Sequence, residues 1–289
     1  MGEERDVIER ELEELKKDAA KIHYELGEKY MELKEYAQAE EEFYVALRYD
    51  DTNPDIYMQL GRVAFKRRNY KDAVEYWQKA NEHSGGANVK AIFNIGIGYM
   101  SMGEYDRALE AYAKLLVLNP NDADAYNNMG LAYSNKGEYQ KAIENFEKAL
   151  SIKGEDPDIY YNLANTYYNM EDYISAANYF SKALELAEDD VYILNNLADT
   201  FMRLGEYEKA LELVSRAVYL RPDYASGWCT RGEILAKMGR KEEALESFKK
   251  SYHYLANKDG FLARYLKEQI EELGEDPEKV LSEEMEKMA

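Results

Sequence analysis

The chain has 289 residues, of which 46% are hydrophobic, 33% charged and 13% aromatic, with 17 Gly, 5 Pro and one Cys. That composition excludes the collagen-like, disordered and disulfide-stapled classes, and no run approaches the roughly 20 apolar residues that cross a bilayer. A net charge of −20, from 57 acidic and 37 basic residues, opposes binding to nucleic acid or anionic membrane and suits a basic partner.

At the amino terminus, "MGEERDVIERELEELKK" lacks the apolar stretch of a secretory leader, and Asp6 stands where a myristoylation signal carries Ser or Thr. With the lone Cys229, this points to a cytoplasmic protein. From Glu3 to Leu33 there is no Pro, and Ile8, Leu12, Leu15, Ala19, Ile22 and Leu26 alternate spacings of four and three. The pattern predicts one helix of about 30 residues carrying a continuous apolar stripe. Its first part, residues 1–19, either lies back as a solubilising cap or protrudes to pair with another protomer.

From residue 20 to 258 the chain repeats itself. Tyr36, Tyr70, Tyr105, Tyr139, Tyr173 and Tyr207 are 34 apart with one interval of 35, and the extra residue falls in "NEHSGGANV". Ala39, Ala73, Ala108, Ala142, Ala176, Ala210 and Ala244 keep the same register. Each period holds two amphipathic stretches joined by a short turn, often with Gly (Gly103, Gly137, Gly205, Gly239), so the unit is a helical hairpin. Small residues (Gly27, Gly61, Gly96, Gly130, Ala164, Ala198, Gly232) on the first helix face large ones (Phe43, Trp77, Tyr112, Phe146, Phe180, Phe248, with Val214 smaller) on the second. One hairpin cannot bury such a face, so the hairpins must stack.

After the repeats, residues 259–274 contain "GFLARYLKEQIEELG", which places Phe261, Leu262, Tyr265, Leu266, Ile270 and Leu273 on one face and predicts a helix closing the stack. Residues 275–289 form a helical tail with a weaker apolar set of Val280, Leu281, Met285 and Met288, which either folds into a groove or stays loose.

The repeated pattern resembles the tetratricopeptide repeat family: in the fourth period Tyr126, Met129-Gly130, Tyr133, Ala142, Phe146 and Ala149 occupy its signature positions. Pro120 and Pro222 supply the terminal proline of the third and sixth. His23, Arg231 and Lys241 are departures at the two ends. The resemblance implies an all-α fold, a right-handed superhelical solenoid of seven repeats at 20–53, 54–87, 89–122, 123–156, 157–190, 191–224 and 225–258. It also implies a non-catalytic adaptor or scaffold that binds a peptide or helix in a concave groove lined by the first helices. The alternative is a self-associating structural protein whose groove is filled by a terminal helix of the same or another protomer.

Positions 5, 9 and 12 of each first helix form one stripe, which in this family faces the groove. They give an apolar patch of Met58, Phe65, Phe93, Ile97, Met100 and Leu131, followed by Asn127, Tyr161, Asn165, Tyr168 and Asn195. Such a patch marks an adaptable partner site, unless one of the chain's own terminal helices covers it. Position 6 carries Asn94, Asn128, Asn162 and Asn196, a column resembling the asparagine ladder of O-linked N-acetylglucosamine transferase repeats, whose amides bond the backbone of an extended peptide. The same amides could instead bond the neighbouring hairpin. The two-carboxylate clamp for acidic chaperone tails is not matched, since the first three repeats offer Tyr24 with Glu28, then Gln59, then Lys90 with Asn94.

No catalytic, cofactor or metal site is expected. His23, His83 and His253 are 60 and 170 residues apart, in a fold where only adjacent repeats touch. "GIGYMSMG" has Ser101 in place of a third glycine and sits within a helix, so it is no phosphate loop. Asp50-Asp51 and Asp189-Asp190 are turn residues without calcium-loop order.

Overall fold

The computed structural model describes residues 2–287, with side chains over 4–282. The described residues are α-helical, without a strand, and form two compact units that divide between Ile152 and Lys153. In the first unit the helices are α1 (Gly2–Glu32), α2 (Tyr36–Tyr49), α3 (Pro54–Lys66), α4 (Tyr70–His83), α5 (Val89–Ser101), α6 (Tyr105–Leu118), α7 (Ala123–Asn135) and α8 (Tyr139–Lys153). In the second they are α9 (Pro157–Asn169), α10 (Tyr173–Leu186), α11 (Val191–Arg203), α12 (Tyr207–Leu220), α13 (Ala225–Lys237), α14 (Lys241–His253), α15 (Phe261–Glu272) and α16 (Pro277–Lys287).

Short polar residues start five of the first helices of the hairpins. The Asn53, Asn88, Asp122, Asp156 and Asp190 side chains each accept a backbone N–H from the first turn that follows, satisfying donors that the helix leaves orphaned. Those helices end on a residue at positive φ, which Gly103, Gly137, Gly205 and Gly239 adopt without strain. Lys34, Arg68 and Glu171 stand in the same register at φ 61°, 65° and 61°, where a Cβ crowds the backbone. Glu171→Gly is therefore expected to raise stability by about 1 kcal/mol, read as a higher denaturant midpoint; a lower midpoint would contradict it.

Within each hairpin the small-against-large pairing brings backbone onto ring. A Cβ built on Gly27, Gly61, Gly96 or Gly130 would lie 2.6, 2.3, 2.4 or 2.6 Å from the ring of Phe43, Trp77, Tyr112 or Phe146. These rings are almost fully buried, and the second helix of one hairpin packs on the first helix of the next: Phe43 and Ala46 of α2 cluster with Ile56 and Leu60 of α3. Tyr112 breaks the chemistry, because its hydroxyl is buried with no hydrogen-bond partner where four of the other repeats carry Phe. Burial pushes that hydroxyl's pKa well above the usual tyrosine value. Tyr112→Phe is expected to stabilise the protein by about 1 kcal/mol by removing an orphaned polar group; an unchanged or lower melting temperature would count against it.

The ends differ from each other. α1 is one unbroken helix of 31 residues, yet Ile8, Leu12, Leu15, Ile22 and Leu26 on its stripe remain exposed. At the other end Leu266 and Ile270 of α15, with Val280 and Leu281 of α16, are buried against Phe248 of α14. Phe261, grouped with the apolar face of α15 on spacing, is 78% exposed; at the first position of the helix it stacks on Tyr265 instead of reaching the core. Met288 and the Met285 side chain lie outside the described residues.

Candidate functional site

In the first unit, the first helices of successive hairpins present one face, and the caps at Asn53, Asn88 and Asp122 set where each begins. That face holds a cleft of about 550 Å³. Met58, Phe93 and Asn94 line it, as do Gln59, Arg62 and Lys90, while Asp55, Asp122 and Asp124 stand along its rim at helix starts. Met58, Phe65, Phe93 and Met100 are half-buried on the unit's own core, with the Phe65 ring 5.7 Å from Trp77 and the Phe93 ring 5.9 Å from Tyr112. Ile97 and Leu131 are half-buried as well. The cleft thus offers an apolar floor with polar groups of both signs around it.

The position-6 amides divide by what their neighbours offer. Gln59 belongs to this column, a membership hidden by its residue type but readable from the 34-residue register with its single slip. Its Nε2 donates to the Tyr24 hydroxyl at 3.1 Å and to Glu28 at 3.0 Å, and its carbonyl accepts from Arg62 at 2.7 Å, so its hydrogen-bonding capacity is spent inside the protein. In the second unit, Asn196 repeats the device by donating to the Tyr161 hydroxyl at 2.9 Å. Both bonds join a position-6 amide to a position-5 tyrosine of the preceding repeat.

Where position 5 is not tyrosine, that partner is missing. Met58 precedes Asn94 and Phe93 precedes Asn128 in this relation, and neither side chain accepts a useful hydrogen bond. Asn128 donates one N–H to its own helix at the Asp124 carbonyl, 2.8 Å away, which leaves its carbonyl and second N–H. Among the described residues Asn94 makes no side-chain hydrogen bond, and it lies on the cleft wall. Asn127 and Asn162 each have a polar partner.

The corresponding face of the second unit is more self-contained. Asn165 donates to the Tyr161 carbonyl at 2.9 Å; the Tyr168 hydroxyl donates to Asp199 and accepts from Arg203 at 3.2 Å. Burial pushes the Tyr168 hydroxyl up to about 12, helped by the Asp199 carboxylate. Asn195 is buried with its carbonyl oxygen unpaired. Nearby, the Cys229 thiol donates to Glu233 at 3.3 Å, and burial raises both groups above their usual values, which keeps the thiol protonated and unreactive. Sequence spacing did not mark this Cys229, Glu233 and Tyr265 group, because Tyr265 comes from α15 and only folding brings it close.

The histidines have local partners: His23 bonds Glu42 at 2.6 Å, His83 stacks on Tyr57, and His253 meets Tyr254 edge-on. Among the described residues no His, Cys, Asp and Glu group could hold a metal ion, and no helix is long and apolar enough to cross a membrane.

Stacked hairpins with a polar-walled cleft on their first helices define a helical-repeat protein. Profiles of the tetratricopeptide repeat match residues 24–87, 121–189, 161–225 and 225–252, and a TPR repeat profile matches 98–137. The chain belongs to the tetratricopeptide repeat family. Proteins of this fold generally mediate protein–protein interaction and are typically non-catalytic. A TPR repeat-containing protein of Methanocaldococcus jannaschii is 28% identical over 100 residues, 35% of this chain and 16% of its own. The BBSome complex member BBS4 of Bos taurus is 28% identical over 130 residues, 43% of this chain and 24% of its own. The chain therefore matches less than a quarter of the length of either relative. Among solved structures, a tetratricopeptide repeat protein from Parabacteroides merdae aligns with a TM-score of 0.70 at 21% identity, over 89% of this chain and all of the other. YrrB, described as a TPR protein with an unusual peptide-binding site, aligns with a TM-score of 0.52 at 28% identity, over 68% of this chain and 99% of its own.

Proposed function

We propose that the chain is an adaptor that holds an extended segment of a partner protein in the first-unit cleft, with Asn94 and Asn128 bonding the partner's backbone. The observation that carries this reading is the unspent amide of Asn94 on the wall of the cleft, opposite in kind to the spent amides of Gln59 and Asn196. A primary amide has an acceptor and two donors, so it pairs with a peptide unit whatever the side chain. Met58 and Phe93 supply an apolar floor, and the Asp55, Asp122 and Asp124 rim favours basic side chains in the partner. The likeness to YrrB, with its peptide-binding site, supports a peptide ligand.

The test begins with selection of peptides from a displayed random library on the intact protein, followed by calorimetry against Asn94→Ala, Asn128→Ala and Asn196→Ala. Loss of affinity in the first two variants and not the third is the expected result. Selected peptides that bind all three variants as they bind the original protein would overturn the reading.

A further inference from the structure

The face of α1 that carries Ile22 and Leu26 is built as an interior surface, but among the described residues nothing covers it. One repeat later the same register holds Ile56 and Leu60, each 1% exposed under α2, whereas Ile22 is 62% and Leu26 39% exposed. The apolar line continues toward the amino terminus through Ala19, Leu15 (66% exposed), Leu12 (51%) and Ile8 (63%). From Ile8 to Leu26 the ridge is about 27 Å long at the rise of an α-helix. Alternating spacings of three and four make it straight, the form that receives another helix. A helix face meant for water would instead carry polar residues there.

Charge along the ridge restricts the occupant. Glu4, Glu11, Asp18 and Glu25 follow one another every seven residues along one edge, and Glu9, Lys16 and His23 follow the other. An antiparallel second copy would set the acidic edge against itself. A parallel copy would oppose Glu4 to Glu9, gain Glu11 with Lys16, and set Asp18 against His23, whose ring already bonds Glu42. End-to-end stacking of copies is no better served, since α15 and α16 already cover α14 within the second unit. We infer that the α1 ridge docks an amphipathic helix of another protein, one whose aliphatic seam is flanked by Lys or Arg. The aliphatic seam covers Ile8, Leu12, Leu15, Ile22 and Leu26 as α2 covers Ile56 and Leu60, and the basic flanks face the acidic edge.

The site lies on α1 and is independent of the first-unit cleft, so the two readings fail separately. The probes are two synthetic helical peptides of about three heptads with the same Leu and Ile seam, one flanked by Lys and one by Glu. Binding to the full chain is read by fluorescence anisotropy at rising salt. The Lys-flanked peptide is expected to bind at least about tenfold more tightly than the Glu-flanked one, with the difference shrinking as salt screens the exposed charges. Leu12→Glu and Leu15→Glu, both at exposed positions and so harmless to folding, should weaken its binding at least about tenfold. Asn94→Ala should leave it unchanged. Equal binding of the two peptides would overturn the proposal, as would full binding by the Leu12 and Leu15 variants. So would sedimentation showing a dimer that Leu12→Glu dissolves and the Lys-flanked peptide fails to displace.

Discussion

Trp77→Ala is expected to lower the unfolding free energy by about 3–5 kcal/mol, with hydrogen-exchange protection lost first in α3 to α6. The ring is 3% exposed and lies directly on the backbone of α3, where a Cβ on Gly61 would come within 2.3 Å of its Nε1. Its far edge reaches toward α5, 3.4 Å from the place a Cβ on Gly98 would take. Removing it leaves a void bounded by helix backbone, which cannot collapse as side chains can. Because hairpins in a stack touch only their neighbours, the loss falls on the hairpins of α3/α4 and α5/α6. Trp77→Phe should recover more than half of it, since Phe43 and Phe146 fill the same register. Denaturant unfolding followed by circular dichroism measures both, and a loss below about 1 kcal/mol for the alanine variant would show that the void closes.

The double change Asn94→Ala with Asn128→Ala is expected to cost a bound peptide about 1–3 kcal/mol, or about 5- to 150-fold in Kd, with little change in stability. Neither amide bonds a neighbouring hairpin, so neither is needed to hold the stack. Asn196→Ala should behave in the opposite way, because its amide is bound to the Tyr161 hydroxyl and its loss strands that group. Asn94→Asp separates donor from acceptor. It keeps an oxygen but loses both N–H donors, so if the amide donates to a peptide carbonyl the acid should bind no better than alanine. Affinity unchanged in the double variant would move the peptide elsewhere.

Much of the architecture follows from spacing alone. A 34-residue period is a local property, since each Gly or Ala on a first helix and the large residue 16 positions later belong to one hairpin. Turns at Gly103 and Gly137 and caps at Asp122 and Asp156 are local as well. Such signals survive in one dimension because a stacked-repeat fold has few contacts between distant parts of its chain. The position-6 column could be found in the same way.

What each amide in that column does could not, because it depends on a side chain about 35 residues away. Gln59 is consumed by Tyr24 and Glu28, and Asn196 by Tyr161, while Asn94 meets Met58 in the same relation and keeps its donors and acceptor unspent. Burial was equally out of reach at the ends. Ile22 and Ile56 are the same residue in the same register, yet one is exposed and the other lies under Phe43 and Ala46. The sequence by itself determined the helices, their pairing and the repeat, through propensities and periods that act within one hairpin. The tertiary structure alone decided which apolar faces are covered and which polar groups are satisfied, because both depend on the neighbour that packing supplies.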